Sequence, residues 1–157
     1  LPVRWNLATA KPVLGTNPTE KLLTNGIRGS LKYSDFEWCS WADNDSVSFT
    51  IDLLKLEMLN TLILGCITNN GMAIHKPASV RVEVSDDNSK FREAVVQSFT
   101  SEEIFREGNF IENLSLKLGG TQARYVRVTA KGPGVCPASH VRPGQTSRIF
   151  FDEVMLE

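Results

Sequence analysis

The tightest constraint on this chain is a period of two. Val47, Phe49, Ile51 and Leu53 alternate with Ser48, Thr50 and Asp52; Val80, Val82 and Val84 alternate with Arg81 and Glu83; Leu114, Leu116 and Leu118 alternate with Ser115 and Lys117. Alternation puts the apolar side chains on one face of an extended chain, so each stretch reads as a half-buried strand. Residues 59–68, LNTLILGCIT, are apolar nearly throughout and fit a strand buried on both faces. Residues 94–101, the RYVRVTAK segment and the terminal SRIFFDEVMLE extend the pattern. Asn25-Gly26, Asn70-Gly71, Asp86-Asp87-Asn88 and Gly119-Gly120 are turn signals between the runs. Only residues 101–107, SEEIFRE, suggest a short helical turn. About seven or eight short strands with turns every eight to twelve residues or so predict an antiparallel β-sandwich.

The 157 residues form one domain, long enough to bury a core without a staple. Residues 1–20 carry Pro2, Pro12, Pro18 and Gly15 among polar residues and read as a lead-in segment or linker on the domain surface, with Trp5 and Leu7 as expected anchors. Residues 21–157 are the domain proper. The chain starts at Leu1 with no charged-then-apolar leader and reads as a piece of a larger protein, so its compartment is not legible from its own N-terminus. Seventeen basic against 18 acidic side chains give a net charge of -1, which argues against nucleic acid and against docking on anionic lipid. No run approaches the length of a membrane-spanning helix.

Three long loops interrupt the strands, at 23–41, 69–78 and 132–147. Long structured loops on a rigid scaffold are where binding residues gather, and in a sandwich they collect at the ends of the sheets. The first loop crowds Tyr33, Phe36, Trp38 and Trp41 together. Cys39, Cys66 and Cys136 are an odd count with no CxxC spacing, which excludes a disulfide framework and a zinc-finger pattern. They read as buried free thiols, with one long-range disulfide left open.

No catalytic pattern stands out. The paired acids Asp86-Asp87, Glu102-Glu103 and Asp152-Glu153 are sequence neighbours, and a glycosidase needs two carboxylates across a bond. There is no G-x-S-x-G, HExxH or phosphate loop. The chain reads as a non-enzyme.

The order of LLTNGIRGS, SFTIDLLKLEMLNTLILG, PASVRVEVSDDNSKF, ARYVRVTAKG and IFFDEVMLE resembles the coagulation factor 5/8 type C, or discoidin, domain, also called carbohydrate-binding module family 32. NGIRGS, GMAIHKP and IFFDEV look most like the modules at the C-terminus of bacterial family 20 glycoside hydrolases, the β-hexosaminidases and chitobiases. The resemblance implies an all-β jelly roll of about eight strands, a secreted or periplasmic setting and a catalytic domain elsewhere in the same parent chain. It also implies a calcium ion joining the first loop to the last strand, held by the carbonyls of Leu22 and Ile27, the side chain of Asn25, Ser30 and the carboxylate of Glu153. Asn25 stands where the family has Asp, so this would be a weak site, open to Na+ or to no ion.

The implied partner is a glycan. A sugar site wants an aromatic face ringed by fixed donors and acceptors. Candidates for the face are Tyr33, Phe36, Trp38 and Trp41, with a core role the competing reading for the two Trp residues. Candidates for the ring are Asn69, Asn70, His75, His140 and Arg142. The alternative is a structural module that braces the catalytic domain, its aromatics buried against that neighbour. Membrane binding through aromatic spikes is the weakest of the three expectations, because the loops carry no basic cluster.

Overall fold

The computed structural model describes residues 6–15, 18–41 and 46–157. Trp5 lies outside the described residues. Seven strands form one open antiparallel sheet: β1 (Val13–Leu14), β2 (Cys39–Ser40), β3 (Ser46–Asn69), β4 (Ser79–Ser85), β5 (Arg92–Ser98), β6 (Asn109–Lys131) and β7 (Phe150–Leu156). Their order is β2-β7-β3-β6-β4-β5, with β1 also paired to β3. The expected all-β antiparallel architecture is borne out. Among the described residues, helix is confined to α1 (Ser101–Ile104) and two short 3-10 turns, Pro18–Thr24 and Asn70–Met72.

The strand count falls at the low end of the expected range because four predicted strands are two. The 47–53 and 59–68 runs belong to one ribbon, β3, and 113–118 joins 125–131 in β6. The two ribbons pair from Ser46↔Lys131 to Asn69↔Asn109. Register breaks between Asp52 and Glu57, and again between Leu59 and Thr61, bend the pair in its middle. Leu54 at φ 70 marks the bulge on β3; Gly119 and Gly120 at φ 70 and 75 mark the one on β6. Glycine tolerates that backbone at little cost, so Gly119-Gly120 looks like a turn in sequence. Here the chain does not reverse, because β3 continues to supply hydrogen-bond partners on both sides.

The bend divides the sheet into two faces that pack on each other. On one side of it β7 and β2 extend the ribbon; on the other β1, β4 and β5 do. The alternating residues meet between them: Phe49, Ile51, Val80, Val82, Val84, Val126 and Val128 share one buried cluster with Leu62, Leu64, Leu116, Phe151 and Val154. Trp41 is wedged across the layers, stacked on Phe49 at 6.4 Å between centroids and edge-on to Phe151 at 5.6 Å. Burying a large aliphatic or aromatic side chain contributes about 1.5–3 kcal/mol, so this interior is what holds the ribbon in its bent form.

The lead-in segment is woven into the domain. Ala8 is in the core, Val13 pairs with Ile51, and the Leu7 amide donates to the Leu156 carbonyl at 3.1 Å. Both ends of the described chain therefore meet beside the end of β7. All three cysteines are buried free thiols, as expected.

Candidate functional site

Two groups of loops carry the polar chemistry. The first is the 22–30 loop on β7. Between Leu64↔Val154 and Cys66↔Phe151 the register slips, so Asp152 and Glu153 together face Gly65. A bulge suspends strict alternation, and both neighbouring carboxylates turn to the same loop. Asp152, fully buried, accepts from Arg28 Nε at 2.8 Å and from the Gly29 amide at 2.9 Å. Glu153, 1% exposed, accepts from the Gly26 amide at 3.1 Å and from Asn6 Nδ2 at 3.2 Å. Burial pushes the Glu153 carboxyl up to about 7, against those two hydrogen bonds.

The five residues expected to hold calcium fit a cation in part. Glu153 is a buried carboxylate with no cation in hydrogen-bond contact, the kind of group an ion stabilises. The oxygens around it are engaged, however. Asn25 Oδ1 accepts from the Ile27 amide at 2.9 Å, the Leu22 carbonyl from the Asn25 amide at 3.3 Å, and the Ser30 carbonyl from Trp38 Nε1 at 2.9 Å. In this arrangement N–H donors, not carbonyls, surround the carboxylate.

The second group lies a few residues farther along, at the C-terminal end of β3. The Asn69 side chain caps the 70–72 turn, accepting from the Met72 amide at 3.2 Å, and the Asn70 amide donates to the Gly108 carbonyl at 3.0 Å. Thr100 caps α1 in a full capping box with Glu103. The 132–147 loop folds back on itself, with a bridge between Val135 and Thr146. Arg142 Nε donates to the Gly71 carbonyl and ties this loop to the 70–72 turn. Between these elements opens a cleft of about 380 Å³, walled by Asn70, Glu102, Phe105, Glu107, His140 and Val141 among others. Asn70 Oδ1 has no hydrogen-bond partner.

The expected sugar residues divide. Asn70 and His140 border the cleft, and Arg142 braces it. His75 lies behind it, 1% exposed, with Nε2 2.9 Å from Nε2 of His140. Burial first, then the facing His140, pulls His75 down to about 4, so it is neutral at pH 7. Trp38 packs inside a small second core with Ile67, Ile74 and Phe150, and Trp41 lies between the layers. Trp38 is buried and Trp41, half-buried, gives one ring face to Phe49, because a large aromatic beside a short strand gains most by covering the sandwich interior. Tyr33 is half-buried, edge-on to Phe150 at 6.1 Å. Phe36 is 91% exposed and stands apart from the cleft walls. Phe105 is the aromatic on the cleft, and sequence reasoning passed over it; the T-x-x-E capping box before it was the available signal.

A bent antiparallel sandwich with its loops gathered at the two ends is the architecture of a loop-presenting binding domain rather than of any one activity. A sequence model of the F5/8 type C domain matches residues 8–142, and the chain belongs to that family. Among solved structures, CpGH89CBM32-6 of Clostridium perfringens is similar over 98% of this chain and 98% of its own, with a TM-score of 0.61 at 17% identity. A fucose binding module of Streptococcus pneumoniae is similar over 99% and 96%, with a TM-score of 0.62 at 16% identity. The C-terminal domain of a chitobiase from Bacteroides fragilis is similar over 87% and 78%, with a TM-score of 0.52 at 17% identity. At these identities the likeness is one of fold. No curated protein matches the chain.

Proposed function

We propose that the domain is a non-catalytic carbohydrate-binding module whose ligand sits in the cleft between the 70–72 turn, α1 and the 132–147 loop. The observation that carries this is the cleft's wall chemistry. Phe105 supplies an apolar ring, Asn70 a side-chain amide, and Glu102 and Glu107 carboxylates that can each accept hydrogen bonds from two hydroxyls. No Lys or Arg is among the described residues that line it. Such a wall suits a neutral or amine-bearing sugar and disfavours uronic or sialic acids. The family and the sugar-binding names of structural neighbours, a chitosan-binding module and a fucose binding module among them, support the reading. Shallow sites of this kind bind at about -4 to -8 kcal/mol, millimolar to micromolar.

In this reading the module serves a secreted or periplasmic glycoside hydrolase of the chitobiase or hexosaminidase type as part of the same chain. Calcium belongs to the reading as a weak structural ion at Glu153, with Leu22, Asn25, Ile27 and Ser30 turning oxygens to it; a carboxylate buried without a cation supports it. The test is a glycan array on the domain, with and without chelator. Binding to one class of neutral or amino sugars is the expected result. Silence across a broad array overturns the lectin reading.

One observation favours the bracing alternative. Phe36, Leu31 and Ile27 are all exposed on the first loop, and none of them lines the cleft. A neighbouring domain that covered them would make the 23–41 loop a docking surface.

A further inference from the structure

Behind the cleft, three side chains with metal-ligating atoms come together, Cys136 and His140 from the 132–147 loop and His75 from the 69–78 loop. His75 and Cys136 are 1% and 2% exposed, and His140, which borders the cleft, is 8% exposed. Their ligand atoms all lie within 4.8 Å of one another. We propose that His75, Cys136 and His140 form a Zn2+ site, with two imidazole nitrogens and one thiolate as ligands and the fourth position open toward the cleft.

The spacing of the two imidazole nitrogens is close to that of a loaded site. Tetrahedral zinc with Zn–N of about 2.0–2.1 Å holds its nitrogens roughly 3.3 Å apart. The two Nε2 atoms are 2.9 Å apart and need to open by only a few tenths of an ångström. Soft thiolate with imidazole selects zinc over calcium or magnesium.

The backbone holds each ligand in place before any ion arrives. The His75 amide donates to the Arg148 carbonyl at 3.1 Å. Cys136 is gripped on both sides, its amide donating to the Gln145 carbonyl at 2.8 Å and its carbonyl accepting from the Gly144 amide at 2.9 Å. The His140 amide donates to the Pro137 carbonyl at 3.0 Å. Phe105 packs edge-on against both imidazoles, at 5.1 Å and 6.2 Å, and closes the apolar shell.

The protons can be placed. His140 Nδ1 accepts from the Arg142 amide at 2.9 Å, so in the metal-free protein its proton is on Nε2, donated to His75 Nε2. His75 then carries its own proton on Nδ1, a buried atom with no hydrogen-bond partner among the described residues. Loading moves the His140 proton from Nε2 to Nδ1 and releases the Arg142 amide to solvent, since Arg142 is exposed. His75 binds through Nε2 without change. The Cys136 thiol loses its proton to solvent as the Zn–S bond forms. The balance is one proton released per ion bound.

The site shares His140 with the wall of the cleft, and its test uses the metal alone. Metal-stripped protein is titrated with Co2+ and then with Zn2+. Cobalt is expected to give a thiolate-to-metal charge-transfer band in the near ultraviolet, and one equivalent of zinc is expected to displace it with release of one proton. C136S abolishes the band, H140A weakens zinc binding by more than about tenfold, and C39S, at a thiol bonded to Thr19 instead, changes neither. The wild-type spectrum requires no variant to fold. Absence of the band in the wild type, or its survival in C136S, overturns the proposal.

Discussion

Arg28 and Asp152 are locked together at 2.8 Å, Nε to Oδ2, with Asp152 fully buried at the bulge of β7. The pair fastens the first loop to the last strand across most of the chain length. Gly65 lies beneath it: a Cβ there would come 1.9 Å from Asp152 Oδ1 and 2.6 Å from Arg28 Nη2. Replacing Asp152 by Asn leaves Arg28 facing a neutral amide and is expected to cost about 2–3 kcal/mol, below the range for a fully buried pair because Arg28 is partly exposed. Gly65→Ala drives a methyl into the pair and is expected to cost about 3 kcal/mol. Urea unfolding of the two variants measures both; a loss under half a kcal/mol in either contradicts the role given to the contact.

Glu153 sets a pH dependence of the opposite sign from most carboxylates. Its folded value, about 7, is above the ordinary 4.5. The folded state therefore holds a proton that the unfolded chain has lost. That contribution is fully present below pH 4.5 and disappears as pH rises through 7, a change of roughly 3 kcal/mol. Thermal melts in chelator should fall in midpoint between pH 5 and pH 8, and E153Q should flatten that fall. If calcium binds there, millimolar calcium at pH 8 restores the wild-type midpoint and leaves E153Q unmoved.

Asp52 governs the acid side. Arg124 grips it with two bonds, 2.8 Å and 2.9 Å, and the Leu54 amide adds a third at 2.8 Å where the backbone turns left-handed. The hydrogen bonds from Arg124 hold the Asp52 carboxyl below its ordinary value, with burial opposing. This stabilisation is present above the unfolded value of 3.8 and is lost as pH falls through the lower folded one. Asp52→Asn is expected to cost about 1–3 kcal/mol at pH 7 and less at pH 2.5. Denaturation midpoints at the two pH values make the comparison.

Asn70→Ala is expected to weaken glycan binding about tenfold, the loss of a hydrogen bond of about 1.5 kcal/mol, while Phe36→Ala leaves it unchanged. Titration calorimetry with the best array ligand separates the two. A reversed result would move the sugar site from the cleft to the exposed first loop.

Much of the fold was legible because alternation is a local signal. Val47, Phe49, Ile51 and Leu53 read as one inward face and are one. The bend was not legible, since Gly119-Gly120 supports a turn or a bulge equally, and only the continuing partner strand decides between them. The same limit hid the chemistry on β7. Asp152 and Glu153 would face opposite ways in a regular strand, and the register slip opposite Gly65 is a property of the pair β3–β7, not of either sequence. The aromatic cluster at 33–41 marked a real structural centre, but Trp38 and Trp41 spend their rings inside. The cleft escaped because its walls come from three segments of chain, and the histidine–cysteine cluster because His75 joins Cys136 and His140 from a different loop.

The joining of Leu7 to Leu156 has a mechanical consequence. Leu156 lies opposite Leu62 on β3, whereas the cleft begins at Asn69 and Asn70, seven residues or about 23 Å farther along the strand. The two ends of the described chain lie at one pole, and the cleft looks out from the other. Tension on either end would load the seam between the lead-in segment and β7, leaving the recognition end unstressed. Under the proposed reading, that arrangement keeps the cleft free to meet glycan while the opposite pole carries the load.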